Sequence, residues 1–506
     1  MKKIVLIIMD GVGLREEKYG NAFANAHTPN FDYLWNNYPH CKLYAAEESV
    51  GLPKNQMGNS EVGHMNIGAG RIMYQELPTI NNAIADGSFY TNKEFIEAIE
   101  NCKKNNSNLH ILGIISDGAV HGHIDHLIAL LELCKKENFD RVYVHALLDG
   151  RDTTPMEAPK HIKQVEDKMA ELGIGKIITI QGRYYLMNRD RNWELTEMAY
   201  KAVVNGESDI TAVSTSEAFE IEYAEGLTDE FMKPTVIEKI PIEANDSLIS
   251  YNFRSDRLIQ FCRAFLDPNF SDFERGQLKK VHVVIMTEYE DEPYYKEVRI
   301  AFNKTFPTNT IGEIIAKRNL KQLRLSEYEK RLHITFYFSG CKLEPFEGQK
   351  DIILPRPDVF TYDEVPEMRA YEITEELLKA LKEDYSLIAV NYANGDGVGH
   401  SGIYDKTVEA IEHVDKCLGK ILQEIDLDEC ELIVTSDHGN SEHMIESDGT
   451  PDKKHSTEPV PFIICNKNHK LNSEYIGKLA DIAPTILAMM NLPVPDEMTG
   501  DNLIQM

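Results

Sequence analysis

Cysteine pairs of the kind that bind metals or form redox disulfides are absent, because none of the eight cysteines stands in a Cys-x-x-Cys spacing. Long apolar runs are also absent. The N-terminal run 4–9 is far shorter than a signal-peptide core or the ~20 residues of a membrane span. We therefore expect a cytoplasmic protein whose cysteines are small core residues in a reducing compartment.

Positive charge is scarce, with 53 Lys and Arg against 82 Asp and Glu and a net charge of −29. A surface this negative repels nucleic acids and anionic membranes, so neither is an expected partner. A small anionic ligand would need a locally positive site. At 506 residues the chain is also too long for one core, because single cores stop growing near ~250–300 residues, and we expect two domains.

Seven short apolar runs recur along the chain, and polar residues suited to chemistry follow each of them. Their length, and the amphipathic stretches 157–172 and 407–425, predict an α/β fold in which buried parallel strands alternate with helices. Ligands bind at the carboxyl ends of such strands, where these polar residues would stand. The predicted strands are 4–9, 109–115, 142–148, 177–181, 248–253, 387–392 and 432–435.

The types of polar residue divide the chain. Candidate metal ligands lie near its two ends, at Asp10 and between Asp396 and His455, whereas the middle carries arginines. A site that needs both ends requires them to fold together. We therefore predict one domain from residues 1–76 and 308–506, with residues 77–307 inserted as a second domain.

Carboxylates and imidazoles are spaced as a metal site needs. Asp396 and His400 share a face if they lie on a helical turn, although such a pair is also common on protein surfaces. Three carboxylates and three imidazoles exceed the needs of one tetrahedral site, and the lack of thiolates favours two Mn²⁺ ions. The other candidate ligands are Asp10, Asp437, His438 and His455. Expected packing or surface histidines are His40, His64, His282, His333 and His413.

Ser60 is the best candidate for a nucleophile, because the glycines near it could expose its hydroxyl on a tight turn. A serine is a poor nucleophile near neutral pH, and coordination to a metal would activate it. Ser60 could equally be the N-cap of a helix that contains Gly63.

Arginines near strand ends would solve the problem that the negative charge poses for an anionic ligand. Their planar groups bind carboxylates and phosphates through two hydrogen bonds. Surface salt bridges are the alternative, but Arg183 and Arg254 stand among apolar residues, where an unpaired guanidinium would be costly. We favour a positive pocket for a small polyanion, built from Arg151, Arg183, Arg189, Arg254 and Arg257.

In the order and joint presence of its motifs, the chain resembles the cofactor-independent phosphoglycerate mutases of the alkaline phosphatase superfamily. The resemblance implies an alkaline-phosphatase-like, mostly parallel sheet domain that binds metal, and an inserted α/β phosphotransferase domain that binds substrate. The motifs are VGLP at 50–53, QMGNSEVGHMNIGAGR at 56–71, LDGRDT at 148–153, GRYYLMNRD at 182–190, NFRSDR at 252–257, HITFYFSG at 333–340, DHGN at 437–440 and EMTG at 497–500.

The resemblance also implies a reaction: interconversion of 3-phosphoglycerate and 2-phosphoglycerate by a monomer that needs no bisphosphoglycerate. Ser60 would accept the phosphoryl group, and Asp152 would move a proton between the two substrate hydroxyls. One Mn²⁺ site would be Asp396, His400 and His455, and the other Asp10, Ser60, Asp437 and His438. Substrate contacts would come from His121, Arg151, Asp152, Arg183, Arg189, Arg254, Arg257 and Lys330, the last just before a strand that starts at His333.

Several positions depart from the family pattern without removing an implied ligand. Residues 46–48 read Ala-Glu-Glu in place of Ala-Ser-Gly, and Ala119 and Gly122 replace a glycine and a serine. Ser255 stands where proline is common, and Lys453 and Lys454 precede a metal ligand. The first two departures could alter loops near the substrate.

Overall fold

The computed structural model describes residues 2–277, 279–289 and 293–505, and all of their side chains except those of Ser255 and Pro293. The expectation about Ser255 therefore lies outside the described side chains. The chain divides into two compact units. Unit 1 comprises Met1–Gln75 and Phe306–Met506, and unit 2 is Glu76–Thr305.

Sixteen strands are present among the described residues, and eight of them form a sheet in each unit. Numbered along the chain, they are β1 Lys3–Met9, β2 His40–Tyr44, β3 Leu109–Ile114, β4 Val142–Leu148, β5 Lys176–Gly182, β6 Ile210–Thr211, β7 Thr235–Val236, β8 Ser247–Ser250, β9 His282–Ile285, β10 Arg299–Ile300, β11 Gln322–Glu327, β12 Gln349–Leu354, β13 Leu387–Tyr392, β14 Cys430–Thr435, β15 Val460–Ile464 and β16 Ile476–Lys478.

The α-helices of the described residues alternate with these strands. They are α1 Ala22–Asn25, α2 Pro29–Asn37, α3 Ser60–Ala69, α4 Glu76–Asp86, α5 Lys93–Asn105, α6 Ile124–Lys136, α7 Ala158–Leu172, α8 Arg183–Leu186, α9 Trp193–Tyr200, α10 Thr215–Ala224, α11 Ile259–Leu266, α12 Ile311–Lys317, α13 Ala370–Ala380, α14 Asn394–Gly399, α15 Tyr404–Glu424 and α16 Ile482–Met489.

The sheet of unit 1 has the order β12-β11-β13-β1-β14-β15-β2-β16, and among its described strands β15 alone runs antiparallel to the rest. Every residue of β13 and β14 is buried, as is β1 beyond Lys3. Strands covered on both faces have no solvent side, which is why they read as continuous apolar runs rather than as alternating patterns.

The sheet of unit 2 has the order β10-β9-β8-β3-β4-β5-β7-β6 and is parallel from β10 to β5. Only the short edge pair β7 and β6 reverses direction within the described part. The α/β expectation with mostly parallel sheets is confirmed, and the seven predicted strands are present, β4 and β13 with the predicted bounds and the other five with shifted ends. The largest difference is at the carboxyl end of the predicted strand 248–253, where the observed strand ends at Ser250.

The strand expected from His333 is wrong. His333–Tyr337 forms a helical turn with wide π-type hydrogen bonding, directly after a short 3₁₀ turn at Tyr328–Lys330. This segment packs against α3, and only Ile334 of its residues is fully covered. An apolar run of this length suits a helix or a strand equally, so tertiary packing decided between them.

Seven of the eight cysteines are buried, and Cys341 is partly buried. Among the described residues, none of the helices combines the length and the apolar character that crossing a membrane requires.

Candidate active site

Three carboxylates meet at the carboxyl end of the unit 1 sheet. Asp10 follows β1, Asp437 follows β14, and Asp396 lies in α14 just after β13. Because β1 lies between β13 and β14, parallel pairing brings these three chain segments to one edge. All three side chains are buried, and Asp10 and Asp437 are fully so.

Ser60 is the first residue of α3 and not its N-cap. The cap is Asn59, whose side chain accepts a hydrogen bond from the Val62 backbone at 2.9 Å. The Ser60 hydroxyl is therefore not needed to cap the start of the helix. Its Oγ lies 2.8 Å from His438 Nε2 and 3.3 Å from Asp10 Oδ1, among the carboxylates.

Lys330 is buried in the same cluster. Its Nζ donates hydrogen bonds to Ser60 Oγ at 2.6 Å, to Asp10 Oδ1 at 2.6 Å and to Asp396 Oδ2 at 2.7 Å. Burial alone would lower the pKa of Lys330, but the carboxylates around it outweigh that effect and hold its pKa above the usual value. The ammonium group therefore remains charged beside the hydroxyl.

Two histidines contact the same oxygen of Asp396, and their Nε2 atoms lie 3.0 Å apart. On the predicted helical turn, His400 Nε2 lies 3.2 Å from Asp396 Oδ1, and His455 Nε2 lies 3.0 Å from the same oxygen. The Nδ1 atom of each ring contacts a backbone carbonyl: that of His400 lies 2.9 Å from the Lys453 carbonyl, and that of His455 lies 2.7 Å from the Gly58 carbonyl. These contacts orient the rings and leave Nε2 pointing into the cluster, as in metal-binding histidines.

The titration of this cluster reflects its charge. Burial would raise the pKa values of Asp396 and Asp437, but Lys330 and the adjacent imidazoles outweigh burial and lower both. Burial would likewise lower the pKa of His438, but the neighbouring carboxylates raise it to about 9.

The donor atoms fit divalent metal ions. Two groups have ligand atoms that all lie within 4.8 Å of one another: Asp396, His438 and His455, and Asp10, Asp437 and His438. Asp396 Oδ1 and Asp437 Oδ2 are buried and accept no hydrogen bond. Three buried carboxylates exceed the two positive charges of Lys330 and the protonated His438, and the unbalanced buried negative charge calls for a counter-ion.

His64 belongs to this cluster, which corrects the expectation that it serves for packing or at the surface. It is fully buried on α3, one helical turn after Ser60, and its Nδ1 lies 3.1 Å from Asp437 Oδ2. Its Nε2 contacts the side-chain amide of Asn391 at 3.1 Å, and that amide also donates to Asp10 Oδ2 at 2.7 Å. Its i+4 spacing from Ser60 was the signal available in the sequence.

Glu442 was not expected at all, yet its buried carboxylate joins three segments that carry candidate ligands. It accepts hydrogen bonds from the backbone of Gly13 at 2.8 Å and of Asn440 at 3.0 Å, and from the Ser456 hydroxyl. These residues follow Asp10, His438 and His455 closely in the chain. No spacing pattern in the sequence predicts such a contact.

The predicted substrate residues of unit 2 form a second cluster. Arg183 is buried at the end of β5 and pairs with Asp149 Oδ1 at 2.7 Å and with Asp152 Oδ2. Asp149 also accepts from Ser116 Oγ at 2.8 Å and from the backbone of Asp152 at 3.0 Å. Asp149 therefore orients both Arg183 and Asp152, a role that the sequence did not reveal although Asp149 follows a predicted strand.

Asp256 contacts three further arginines of this cluster. Its carboxylate lies 3.1 Å from Arg189, 3.2 Å from Arg254 and 3.6 Å from Arg257. Burial and the neighbouring arginines lower the pKa of Arg257, whose Nε is buried and has no hydrogen-bond partner in the described part of the chain. Like charges crowded in this way favour an anionic ligand.

His121 lies between the two carboxylates, with Nε2 3.8 Å from Asp152 and Nδ1 3.9 Å from Asp256. Burial, with help from Arg183 and Arg254, lowers its pKa to about 4, so the ring is neutral near pH 7. Arg151 is more exposed than Arg183 and lies 3.4 Å from Glu230.

Two of the departures from the family pattern have visible backbone consequences. Ala119 has a φ of 59°, in the left-handed region that glycine adopts without strain. At Gly122, an added Cβ would lie 2.7 Å from Ile114 Cγ2 and 3.0 Å from Asn252 Oδ1, so a serine would require local movement. Glu47 also has a positive φ, of 55°.

Buried carboxylates, imidazoles and a serine at the carboxyl end of a mostly parallel sheet define the class of metal-dependent enzymes that transfer phosphoryl groups. In agreement, residues 290–460 match the family model described as type I phosphodiesterase / nucleotide pyrophosphatase, and residues 80–291 match the BPG-independent PGAM N-terminus.

Curated relatives narrow this class. The chain is 48% identical over 511 residues to a 2,3-bisphosphoglycerate-independent phosphoglycerate mutase of Clostridium perfringens strain SM101, with 99% of each chain covered. It is equally similar to that of Clostridium botulinum strain ATCC 19397, with 100% of this chain and 99% of the relative covered. The chain belongs to the family of 2,3-bisphosphoglycerate-independent phosphoglycerate mutases. Among solved structures, a phosphoglycerate mutase of Leishmania mexicana crystallised at low cobalt concentration has a TM-score of 0.55 and 28% identity over 100% of this chain and 98% of that chain.

Proposed function

We propose that this enzyme interconverts 3-phosphoglycerate and 2-phosphoglycerate through a phosphoserine at Ser60. Membership of the mutase family supports the reaction. The single observation that carries the role of Ser60 is its hydroxyl, which is buried and lies within 3.3 Å of Lys330 Nζ, His438 Nε2 and Asp10 Oδ1. A serine without a nearby charged partner would be a poor nucleophile.

Two Mn²⁺ ions are the proposed cofactors. Asp396, His400 and His455 would hold one, and Asp10, Ser60, Asp437 and His438 the other. When bound, the ions would supply positive charge that stabilises a deprotonated serine and the phosphoryl oxygens. Mixed carboxylate and imidazole donors suit Mn²⁺, and His438 lies close enough to contribute to either group.

The residues of unit 1 account for phosphoryl transfer. Ser60 Oγ forms a bond to phosphorus while the bond from phosphorus to the glycerate oxygen breaks. The same atoms reverse these roles when the group returns to the other glycerate hydroxyl. Lys330 donates to Ser60 Oγ and carries the positive charge that offsets the equatorial phosphoryl oxygens.

The residues of unit 2 are proposed to hold the glycerate. Arg151, Arg254 and Arg257 would bind its carboxylate, with Arg183 and Arg189 completing the positive cluster. Asp152 would give a proton to the glycerate oxygen that leaves phosphorus and take one back from the other glycerate hydroxyl when it attacks, so the proton balance closes within one cycle. His121, neutral near pH 7, would orient the substrate by hydrogen bonding.

We further propose a cytoplasmic monomer that binds only this small substrate and no nucleic acid. The net charge of −29 and the buried cysteines support this proposal. Light scattering of the purified protein during size-exclusion chromatography checks the oligomeric state.

Replacing Ser60 by alanine tests the phosphoserine. We expect Ser60→Ala to lower mutase turnover by at least ~10³-fold, because the acceptor oxygen is lost. Metal content, measured by elemental analysis, should stay near two ions per chain. The exposed Ser473→Ala is the matched control, and unchanged turnover in Ser60→Ala would refute the proposal.

A trapped intermediate gives the complementary measurement. Rapid quenching followed by mass spectrometry should find phosphate on the peptide that contains Ser60, and on no serine of the Ser60→Ala variant. Hydrolysis of a generic aryl phosphate without mutase activity would instead indicate a phosphatase.

A further inference from the structure

A cavity of about 490 Å³ lies in unit 2 next to the substrate cluster. Arg189 and Asp256 line it and also belong to that cluster, whereas Arg191 and Arg263 line it and have no place in the proposed reaction. Its volume is in the range of small-molecule sites, about 300–1,000 Å³.

Arg191 is held in a strained backbone conformation at the mouth of this cavity. Its φ is 58°, in the left-handed region that residues other than glycine rarely adopt. The buried Gln260 stabilises it, because Gln260 Oε1 accepts a hydrogen bond from the Arg191 backbone at 2.8 Å. Strain of this kind is retained where the position of a side chain matters for function.

The guanidinium of Arg191 is exposed and makes no hydrogen bond or ion pair within residues 2–277, 279–289 and 293–505. A guanidinium that lines a cavity and has no counter-ion among the described residues is suited to bind an anion from solution.

Arg263 is oriented by aromatic rings and by two ion pairs. Its guanidinium lies 5.3 Å from the ring centre of Trp193 and 5.9 Å from that of Phe270. Asp267 lies 3.7 Å from its Nε, and Asp272 lies 3.4 Å from one of its terminal nitrogens. Stacking fixes the plane of the guanidinium, and an anion in the cavity would compete with these two carboxylates for its N–H groups.

We propose that this cavity is an accessory site for a compact phosphorylated or carboxylated anion, bound by Arg191 and Arg263 with Arg189 as the link to the substrate cluster. Among the described lining residues, three arginines outnumber two aspartates, in a chain whose net charge is −29. An anion there competes with Asp256 for Arg189, whose nitrogen lies 3.1 Å from that carboxylate.

Tryptophan fluorescence tests the proposal directly, because the chain has two tryptophans and Trp193 lines the cavity. In the full-length Trp35→Phe variant, titration with inorganic phosphate at constant ionic strength should change Trp193 fluorescence saturably. Arg191→Ala should weaken the apparent affinity at least tenfold, and Arg191→Lys should restore part of it. Arg299→Ala, which removes a partly exposed arginine outside the cavity, is the control and should leave the affinity unchanged.

The substrate cluster is the alternative location at which phosphate could bind. If Arg257→Ala abolishes the fluorescence change and Arg191→Ala leaves it intact, phosphate binds in the substrate cluster and the proposal is wrong. Absence of any saturable change in a variant that retains full turnover overturns it equally. Substitution at Arg191 should not lower basal turnover, because the side chain takes no part in the reaction.

Discussion

Lys330 illustrates how one residue can hold a buried acidic cluster together. Without metal, its ammonium is the charged group that lies within 2.7 Å of both Asp10 and Asp396. Removing one member of a buried charged group leaves the others uncompensated, which costs more than the pair itself contributes.

We therefore expect Lys330→Met to destabilise the metal-free protein by about 3–5 kcal/mol, since two buried carboxylates would lose the lysine that compensates their charge. Added Mn²⁺ should recover most of this loss by supplying positive charge. Urea unfolding with and without Mn²⁺ measures both effects. Lys321→Met, at an exposed lysine 3.6 Å from Asp384, should change stability little. Equal stability of the two variants without metal would contradict this account.

Glu327, at the end of β11, is fully buried, and burial raises its pKa from 4.5 to about 7. Between these pH values the unfolded chain has lost the proton while the folded chain retains it. Folding is then linked to proton uptake, so the contribution of Glu327 to stability is present below pH 4.5 and is lost as the pH rises through 7.

Glu327→Gln should accordingly stabilise the protein at pH 8, by up to about 3 kcal/mol, and have little effect near pH 4.5. Urea unfolding of unit 1, followed by Trp35 in a Trp193→Phe background, measures the difference. The exposed Glu344→Gln serves as control. An effect of the same size at both pH values would show that the carboxyl is not protonated in the folded chain.

At the scale of elements, the approach of α3 to the loop after β14 sets the position of Ser60. Gly63 permits this approach, because an added Cβ would lie 2.5 Å from the Asp437 carbonyl oxygen and 2.9 Å from Asp437 Cβ. Gly63 is thus required for packing, although glycine inside a helix is otherwise unfavourable.

Gly63→Ala should therefore destabilise the protein by about 1–3 kcal/mol, although alanine is the better helix former. It should also weaken Mn²⁺ binding, because Asp437 must move. Calorimetric titration with Mn²⁺ and urea unfolding give the two values. Met65→Ala on the same helix, at a partly exposed position, is the comparison. Unchanged affinity in Gly63→Ala would place the metal away from Asp437.

At the scale of the whole molecule, all of the proposed metal ligands lie in unit 1, which joins the two ends of the chain. The proposed anion-binding arginines lie in unit 2. The two tryptophans report the units separately, because Trp35 lies in α2 and Trp193 in α9. Metal binding stabilises only the folded part that contains the site.

Chelation should consequently lower the unfolding temperature of unit 1 and leave that of unit 2 unchanged. At 100-fold saturation a metal site contributes about 2.7 kcal/mol, which corresponds to roughly 5–10 °C for a unit of this size. Thermal unfolding of Trp35→Phe and Trp193→Phe, each with Mn²⁺ or with chelator, separates the two signals. Equal shifts in both variants would argue against a metal site confined to unit 1.

Local sequence determined the elements of this protein and the types of residue at their ends. Runs such as 387–392 are apolar throughout because strands covered on both faces have no solvent side, so β13 could be predicted with its bounds. The insertion could be proposed because metal-binding and anion-binding residue types occupy different parts of the chain.

Only the tertiary structure decided which distant residues meet. The helical turn at His333, the Asn59 cap and the contacts of His64, Asp256 and Glu442 all depend on side chains from other segments, whose position no local period encodes. Hydrophobic periodicity records which face of an element is covered. It does not indicate which other segment covers that face. Buried charged groups are paired only once distant segments pack together, so their partners cannot be predicted from a local pattern.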